Sequence, residues 1–263
     1  MDRSKIYRNI HRLKNLRNTR KPMFSYPFQE LRNKGVFITT ITNKGFQFLP
    51  NIIHNFLRQS YPHKTLCIIF NMRIDIKKVE SILQQKGIRN YIVETKPELT
   101  QWACNQYSVS KMKENDMIWC KMDDDDYYGP SYVLINLQSM IQYKAYVLGR
   151  NSFYVYIPEL NKLFLSSGTI GKVFHIAGPT LFIHKYVFSK IVFDNVKSGG
   201  DVSFQRKCKR IGIPIYSAPN YDFIYIRRIN GKSHTWKINT LHYVKHMKQV
   251  PSRAFKDKYI HIF

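Results

Sequence analysis

Apolar runs of strand length recur at short intervals through the first half of this chain, each followed by a stretch with helical periodicity. Gly35 to Asn43 (GVFITTITN) is β-branched and apolar and ends in small polar residues, as a buried strand does. Residues 48–59 then place Leu49, Ile52, Ile53, Phe56 and Leu57 on one helical face, and Tyr61-Pro62 closes that helix. Thr65 to Phe70 (TLCIIF) is a second strand, 75–87 a helix, 90–94 (NYIVE) a third strand, 100–113 a helix, and Met117 to Met122 an apolar strand. Alternation of this kind predicts an α/β fold with a doubly wound, mixed but mainly parallel sheet flanked by helices. Ligands of such sheets bind at the carboxyl ends of the strands.

After Pro130 the pattern changes. A helix is expected at 131–142, followed by shorter aromatic and β-branched strands at 145–149 and 153–157, partly antiparallel. Helical segments fit 184–191 and 200–211, the latter closed by Gly212 and followed by Ile213-Pro-Ile-Tyr216. No internal repeat or low-complexity linker interrupts the chain. One catalytic domain is therefore expected at about 35–237, with a basic arm or helix at 1–34 and a basic, aromatic extension at 238–263 that carries a helix.

Lys and Arg number 42 against 17 Asp and Glu, so the net charge of +25 favours polyanionic partners or an anionic membrane surface. Nucleic acid is not the expected partner. The chain has no zinc-finger pairing of Cys and His, no aromatic ribonucleoprotein signature and no heptad joined to a basic region. Cys67, Cys104, Cys120 and Cys208 stand too far apart for a zinc or redox motif. The basic start lacks the apolar stretch of a secretory signal, and no uncharged run of membrane-spanning length occurs. A cytoplasmic protein is expected, with peripheral contact at the inner face of the membrane.

Against this basic background, Asp123-Asp124-Asp125-Asp126 follow directly on the apolar strand Met117 to Met122. Adjacent carboxylates repel one another, and fixing them where a strand emerges requires a compensating cation. Hard oxygen ligands suit Mg²⁺ or Mn²⁺, which bridge nucleotide phosphates and neutralise a departing diphosphate. A solvated acidic turn is the simpler alternative.

Several segments, in order, give the chain a resemblance to the family 2 glycosyltransferases with the GT-A fold, over roughly 36–237. Val36 to Asn43 resembles the first strand and loop of that family, which implies that Thr40 and Asn43 approach the nucleotide. Phe56-Leu-Arg-Gln59-Ser-Tyr-Pro62 resembles the end of its first helix. Asn71 stands where the second member of an acidic pair normally contacts the base, and an amide can still hydrogen-bond a base edge. The acidic run, trailed by Tyr-Tyr-Gly-Pro130, resembles the family's Asp-x-Asp-Asp motif; this implies metal contact by Asp125 and Asp123, and donor contact by Asp123 and Asp124. Residues 175–194 resemble the acceptor side. Gly199-Gly-Asp201 resembles the helix start whose Asp is the catalytic base, although the preceding acid of the family is Gly200 here. In Arg227-Arg228 to His234-Thr-Trp236, His234 would reach the metal or diphosphate, and either Arg would pair with phosphate oxygens.

The resemblance implies an inverting, metal-dependent transfer of a sugar from a nucleotide donor, a UDP-sugar first among them, to a carbohydrate, polymer or lipid-linked acceptor in surface polysaccharide assembly. Asp201 would take the acceptor proton as the oxygen attacks opposite the diphosphate. Two other readings stay open: a polyanion-binding protein that keeps the fold, and a metal-dependent nucleotidyltransferase. The first gains nothing from four Asp at a strand end, and the second has no Walker-type glycine loop to support it.

Overall fold

The structure is a computed structural model that describes residues 27–229 and 238–251. Its first half follows the expected alternation: β1 (Gly35–Thr42), α1 (Leu49–Leu57), β2 (Lys64–Phe70), α2 (Ile76–Gln85), β3 (Tyr91–Thr95), α3 (Gln101–Val109) and β4 (Asp116–Lys121). Then come β5 (Tyr127–Tyr128), α4 (Tyr132–Tyr143), β6 (Val147–Gly149), β7 (Tyr154–Ile157), β8 (Lys162–Leu165), β9 (Gly171–Val173) and β10 (Phe182–His184). The described chain ends with α5 (Gly200–Arg210), β11 (Ile215–Ser217), β12 (Phe223–Ile226), α6 (Thr240–Val244) and β13 (Lys248–Val250).

Eight strands form the main sheet in the order β3-β2-β1-β4-β10-β6-β11-β9. The first four are parallel neighbours, with β1 between β2 and β4. β10 runs antiparallel to both β4 and β6. A smaller five-stranded sheet has the order β13-β8-β7-β12-β5. The sheet is thus mixed with a parallel core, as the alternation predicts. The segment expected as a helix at 184–191 is instead a 3-10 turn, Lys185–Ser189, capped by His184 Nδ1, which accepts the Tyr186 amide at 3.2 Å.

Continuous apolar character explains the central strands: Val36, Phe37 and Ile38 of β1 and Leu66 to Phe70 of β2 are buried, because helices cover both faces of the sheet. Side-chain caps start two of those helices. Asp75 accepts the Lys78 amide at 3.1 Å before α2, and Thr100 accepts the Ala103 amide at 3.2 Å before α3. Phe28 and Leu31, in the 3-10 turn before β1, pack into the main core. Residues 238–251 contribute α6 and β13, and β13 pairs with β8. All four cysteines are free and buried, and burial pushes their thiols up. No helix among the described residues is long and apolar enough to cross a membrane.

Because β1 has β2 on one side and β4 on the other, the carboxyl ends of all three open on one crevice. Thr42, Asn71 and Asp123 mark those three ends.

Candidate active site

The four consecutive aspartates have four different surroundings. Asp123, half-buried, forms an ion pair with Lys121, whose buried ammonium also lies 5.8 Å from the centre of the Trp102 ring. Its amide donates to Tyr128 Oη at 2.8 Å. Asp124 accepts from Thr42 Oγ1 at 2.5 Å and pairs with Lys44 Nζ at 3.1 Å. Asp125 pairs with the same Lys44 Nζ at 2.8 Å. Asp126 is turned into the protein: its Oδ1 accepts the Ile226 amide at 2.8 Å, and its Oδ2 is buried with no hydrogen-bond partner.

These surroundings set the protonation chemistry. Burial pushes Asp126 well above the ordinary carboxylate range, and the charges of Asp125 and Asp123 push in the same direction. Asp124 is raised to about 6, first by burial and then by Asp125, with Lys44 and Thr42 opposing. Burial works against the Lys44 ammonium, but Asp125 and Asp124 outweigh it and hold its pKa above the usual lysine value. Lys44 is therefore a fixed positive charge between two acids, one residue beyond Asn43.

Three amides on and just after α1 hold the turn that carries the run. Asn51 Nδ2 donates to the carbonyls of Asp124 at 2.8 Å and Asp126 at 2.9 Å. Asn55 Nδ2 donates to Asp126 O at 2.9 Å while its Oδ1 accepts the Tyr128 amide at 3.1 Å. Gln59 Nε2 reaches Gly129 O at 2.9 Å. α1 and the residue pair after it thus hold the acidic turn through its backbone carbonyls, and make no use of its carboxylates.

Asp201 enters the same neighbourhood from the other side. Gly199 has φ +71, a conformation that suits glycine, and a Cβ on Gly200 would stand 2.4 Å from Trp102 ring atoms. These two glycines let α5 begin close against α3. Asp201 in its first turn lies on Gly178, where a Cβ would come within 2.8 Å of the Asp201 Oδ2. The next residue, Pro179, accepts the Tyr128 hydroxyl at 2.9 Å, the hydroxyl that also receives the Asp123 amide. The Gly178-Pro179 turn therefore stands between Asp201 and the acidic run. Nearby, Asp194 is held below the ordinary carboxylate range by hydrogen bonds from Lys207 and Ser203.

The remaining sequence candidates divide. Thr40 is buried within β1, and Asn43 is exposed at the bend after it. Asn71 spends its NH₂ on the carbonyls of Lys96 at 2.8 Å and Leu99 at 2.5 Å, which leaves its carbonyl oxygen for a ligand. Arg228 lies 5.3 Å from the Phe48 ring centre, and Lys44 lies 4.5 Å from the same ring, so Arg228 stands beside the acidic crevice. Arg227 is fully buried and donates to Ile238 O at 2.6 Å, Tyr225 Oη at 3.1 Å and Thr240 Oγ1 at 3.3 Å, fastening residues 238–243 to β12. His234 lies outside the described residues. Sequence reasoning missed Thr42, Lys44, Asn51, Asn55, Lys121 and Tyr128; of these only Thr42 and Lys44 carried a signal, standing next to Asn43 at the end of the first strand.

Among the described residues no three His, Cys, Asp or Glu side chains converge as a protein-only metal cage. The donor chemistry still fits Mg²⁺ or Mn²⁺, which take one or two carboxylates and complete their shell with water and phosphate. Of the four carboxylates, Asp126 faces the interior, whereas Asp123 pairs with Lys121 and Asp124 and Asp125 share Lys44.

No family model and no curated protein matches the sequence. Solved structures of S. aureus TarS match the fold. The crystal structure of TarS 1–349 has a TM-score of 0.56 at 11% identity, over 73% of this chain and 60% of that one. TarS 1–349 in complex with UDP-GlcNAc also gives 0.56 at 11% identity, over 74% and 59%. A further TarS structure gives 0.55 at 11% identity, over 73% and 37%. The present chain thus spans less than two thirds of those chains. The likeness is one of fold, a mixed α/β sheet flanked by helices in the GT-A arrangement.

Proposed function

We propose that this protein is an inverting glycosyltransferase of the family 2 type that moves a sugar from a nucleoside-diphosphate donor to an acceptor hydroxyl. The observation that carries the reading is the pairing of two acidic groups across the Gly178-Pro179 turn: the run at the end of β4 and Asp201 at the start of α5. A donor in the crevice would set its diphosphate beside Asp123 and Asp125. Asp201 would face the acceptor.

A divalent cation held by Asp125 and Asp123, when bound, would neutralise the leaving diphosphate. The chain's own residues do the rest. Lys44 and Arg228 add positive charge beside the phosphates, and Thr42 and Asn51 keep the acidic turn from shifting as charge develops. With its NH₂ committed, Asn71 offers an acceptor, which suits a base edge that donates there, as uracil does through its ring N–H. The TarS complex with UDP-GlcNAc makes that donor the first to try. Asp201 would accept the proton of the attacking hydroxyl, and attack opposite the diphosphate inverts the anomeric centre.

The test is donor turnover. UDP-GlcNAc and other UDP-sugars are incubated with the protein and Mn²⁺ or Mg²⁺, and released UDP and the anomeric form of the freed or transferred sugar are followed. Metal-dependent release with an inverted product supports the reading. Retention of configuration would contradict the mechanism, and no turnover of any UDP-, GDP- or dTDP-sugar would contradict the activity.

A further inference from the structure

The main sheet ends on an apolar, basic edge that the catalytic reading does not use. β9 is its last strand, and Ile170, Lys172 and Phe174, at alternate positions in and beside it, share one face. Phe174 is 85% exposed and Ile170 55%. Neighbouring α5 brings up Lys209, whose Nζ lies 5.5 Å from the Phe174 ring centre, and Arg206 and Arg210 share that exposed helical face. Among the described residues no strand pairs with the outer edge of β9, and an edge bearing two large apolar side chains is normally covered or blunted, which points to a partner.

Charge and side-chain type select among partners. A second copy of the chain would set lysine against lysine in a protein of net charge +25. The chain's own residues 1–26 carry eight Lys and Arg against one acid, so like charge also disfavours them as the cover. A soluble polyanion would satisfy Lys172, Arg206, Lys209 and Arg210, and an aromatic ring could stack on a base, but Ile170 would gain nothing. An anionic bilayer satisfies every member: apolar side chains enter the acyl boundary while ammonium and guanidinium groups remain among the headgroups.

We propose that the β9 edge and the outer face of α5 form a docking surface for an anionic lipid leaflet, with Ile170 and Phe174 as the inserted side chains. The surface adjoins the acceptor side. Phe174 is four residues from Gly178, which Asp201 touches, and Lys209 is about 12 Å along α5 from Asp201 at the rise of an α-helix. Docking here would present Asp201 to hydroxyls at the membrane surface. The inference does not depend on the sugar-transfer reading, because lipid binding can be measured without any donor.

The experiment uses the full chain with vesicles of phosphatidylcholine alone or mixed with phosphatidylglycerol. Two variants are made, Ile170→Ser/Phe174→Ser and Phe174→Trp. The double variant is expected to keep its melting temperature and to lose roughly tenfold or more in partitioning onto the mixed vesicles, the effect of losing two apolar anchors. The Phe174→Trp emission, read as the difference from wild type, is expected to shift blue with mixed vesicles and to stay unchanged with a single-stranded oligonucleotide. Equal partitioning of wild type and double variant would overturn the proposal. So would an emission shift with the oligonucleotide alone, or a lipid-free dimer that the double variant abolishes.

Discussion

Asp126 and Asp201 are both carboxylates at element ends, and their surroundings make them opposites. Asp126 faces inward, fully buried, with one oxygen on the Ile226 amide and its carbonyl gripped by Asn51 and Asn55. Asp201 sits half-buried in the first turn of a helix, brought to the crevice by two glycines and resting on a third. The last acid of the run is thus a structural member, whereas Asp201, 75 residues later, keeps a partly exposed carboxyl, the condition that the proposed proton transfer requires. Position within an acidic motif does not assign a role; solvent access and the groups already bound to each oxygen do.

The largest effect should come from Asp201→Asn. It removes the proton acceptor while keeping shape, so turnover should fall about 10²–10⁴-fold with donor affinity little changed, as steady-state kinetics and donor titration would read. An equal loss of donor affinity would place Asp201 on the donor side and erase the contrast with the run. Lys44→Met should come next. It strands two buried acids, and urea unfolding should register a loss of about 3 kcal/mol; Lys44→Met combined with Asp125→Asn should lose less than the two single changes summed.

Asp126→Ala and Asp126→Asn probe the inward-facing member. Ala leaves the Ile226 amide without its acceptor and should cost about 1–3 kcal/mol, whereas Asn keeps an acceptor and should unfold near wild type. Similar losses for both would mean that the charge of Asp126, more than its hydrogen bond, supports the fold.

How far the site could be read from the chain follows from the same contrast. β1, β2 and β4 are near-continuous apolar runs, so periodicity and turn residues locate them, and the acidic run after β4 marks the crevice directly. Within the run, neighbours of identical type carry no signal of which faces inward, because that depends on Ile226, 100 residues away. Lys44 is one of 42 basic residues, and only the fold brings it between Asp124 and Asp125. Arg227 and Arg228 are likewise adjacent and identical in type, yet Arg227 is buried against residues 238–243 and Arg228 stands over Phe48, as consecutive side chains leaving a strand point to opposite faces. The turn at 185–189 was legible only as a helix, since its length and pattern do not separate 3-10 from α geometry.

A smaller, pH-dependent effect separates the scaffold from the site. Burial depresses the His184 pKa to about 4, and His184 ends β10, the strand between β4 and β6. The depressed value means that the unfolded chain binds this proton first. The stability His184 contributes is complete above about pH 6.5 and lost as pH falls toward 4, up to about 3 kcal/mol from this group. His184→Asn, which can still cap the following turn, should flatten that part of the stability profile in urea titrations across the window.

The claim that the acidic crevice is a nucleotide-sugar site is tested most directly by melting temperature, measured for wild type and Asp125→Asn against UDP, GDP, CDP and dTDP, each with and without Mn²⁺. Ligand that binds the folded state must raise the melting temperature by mass action. A rise with UDP that needs Mn²⁺ and disappears in Asp125→Asn is expected. No rise with any nucleotide, or a rise that survives the substitution intact, would contradict it.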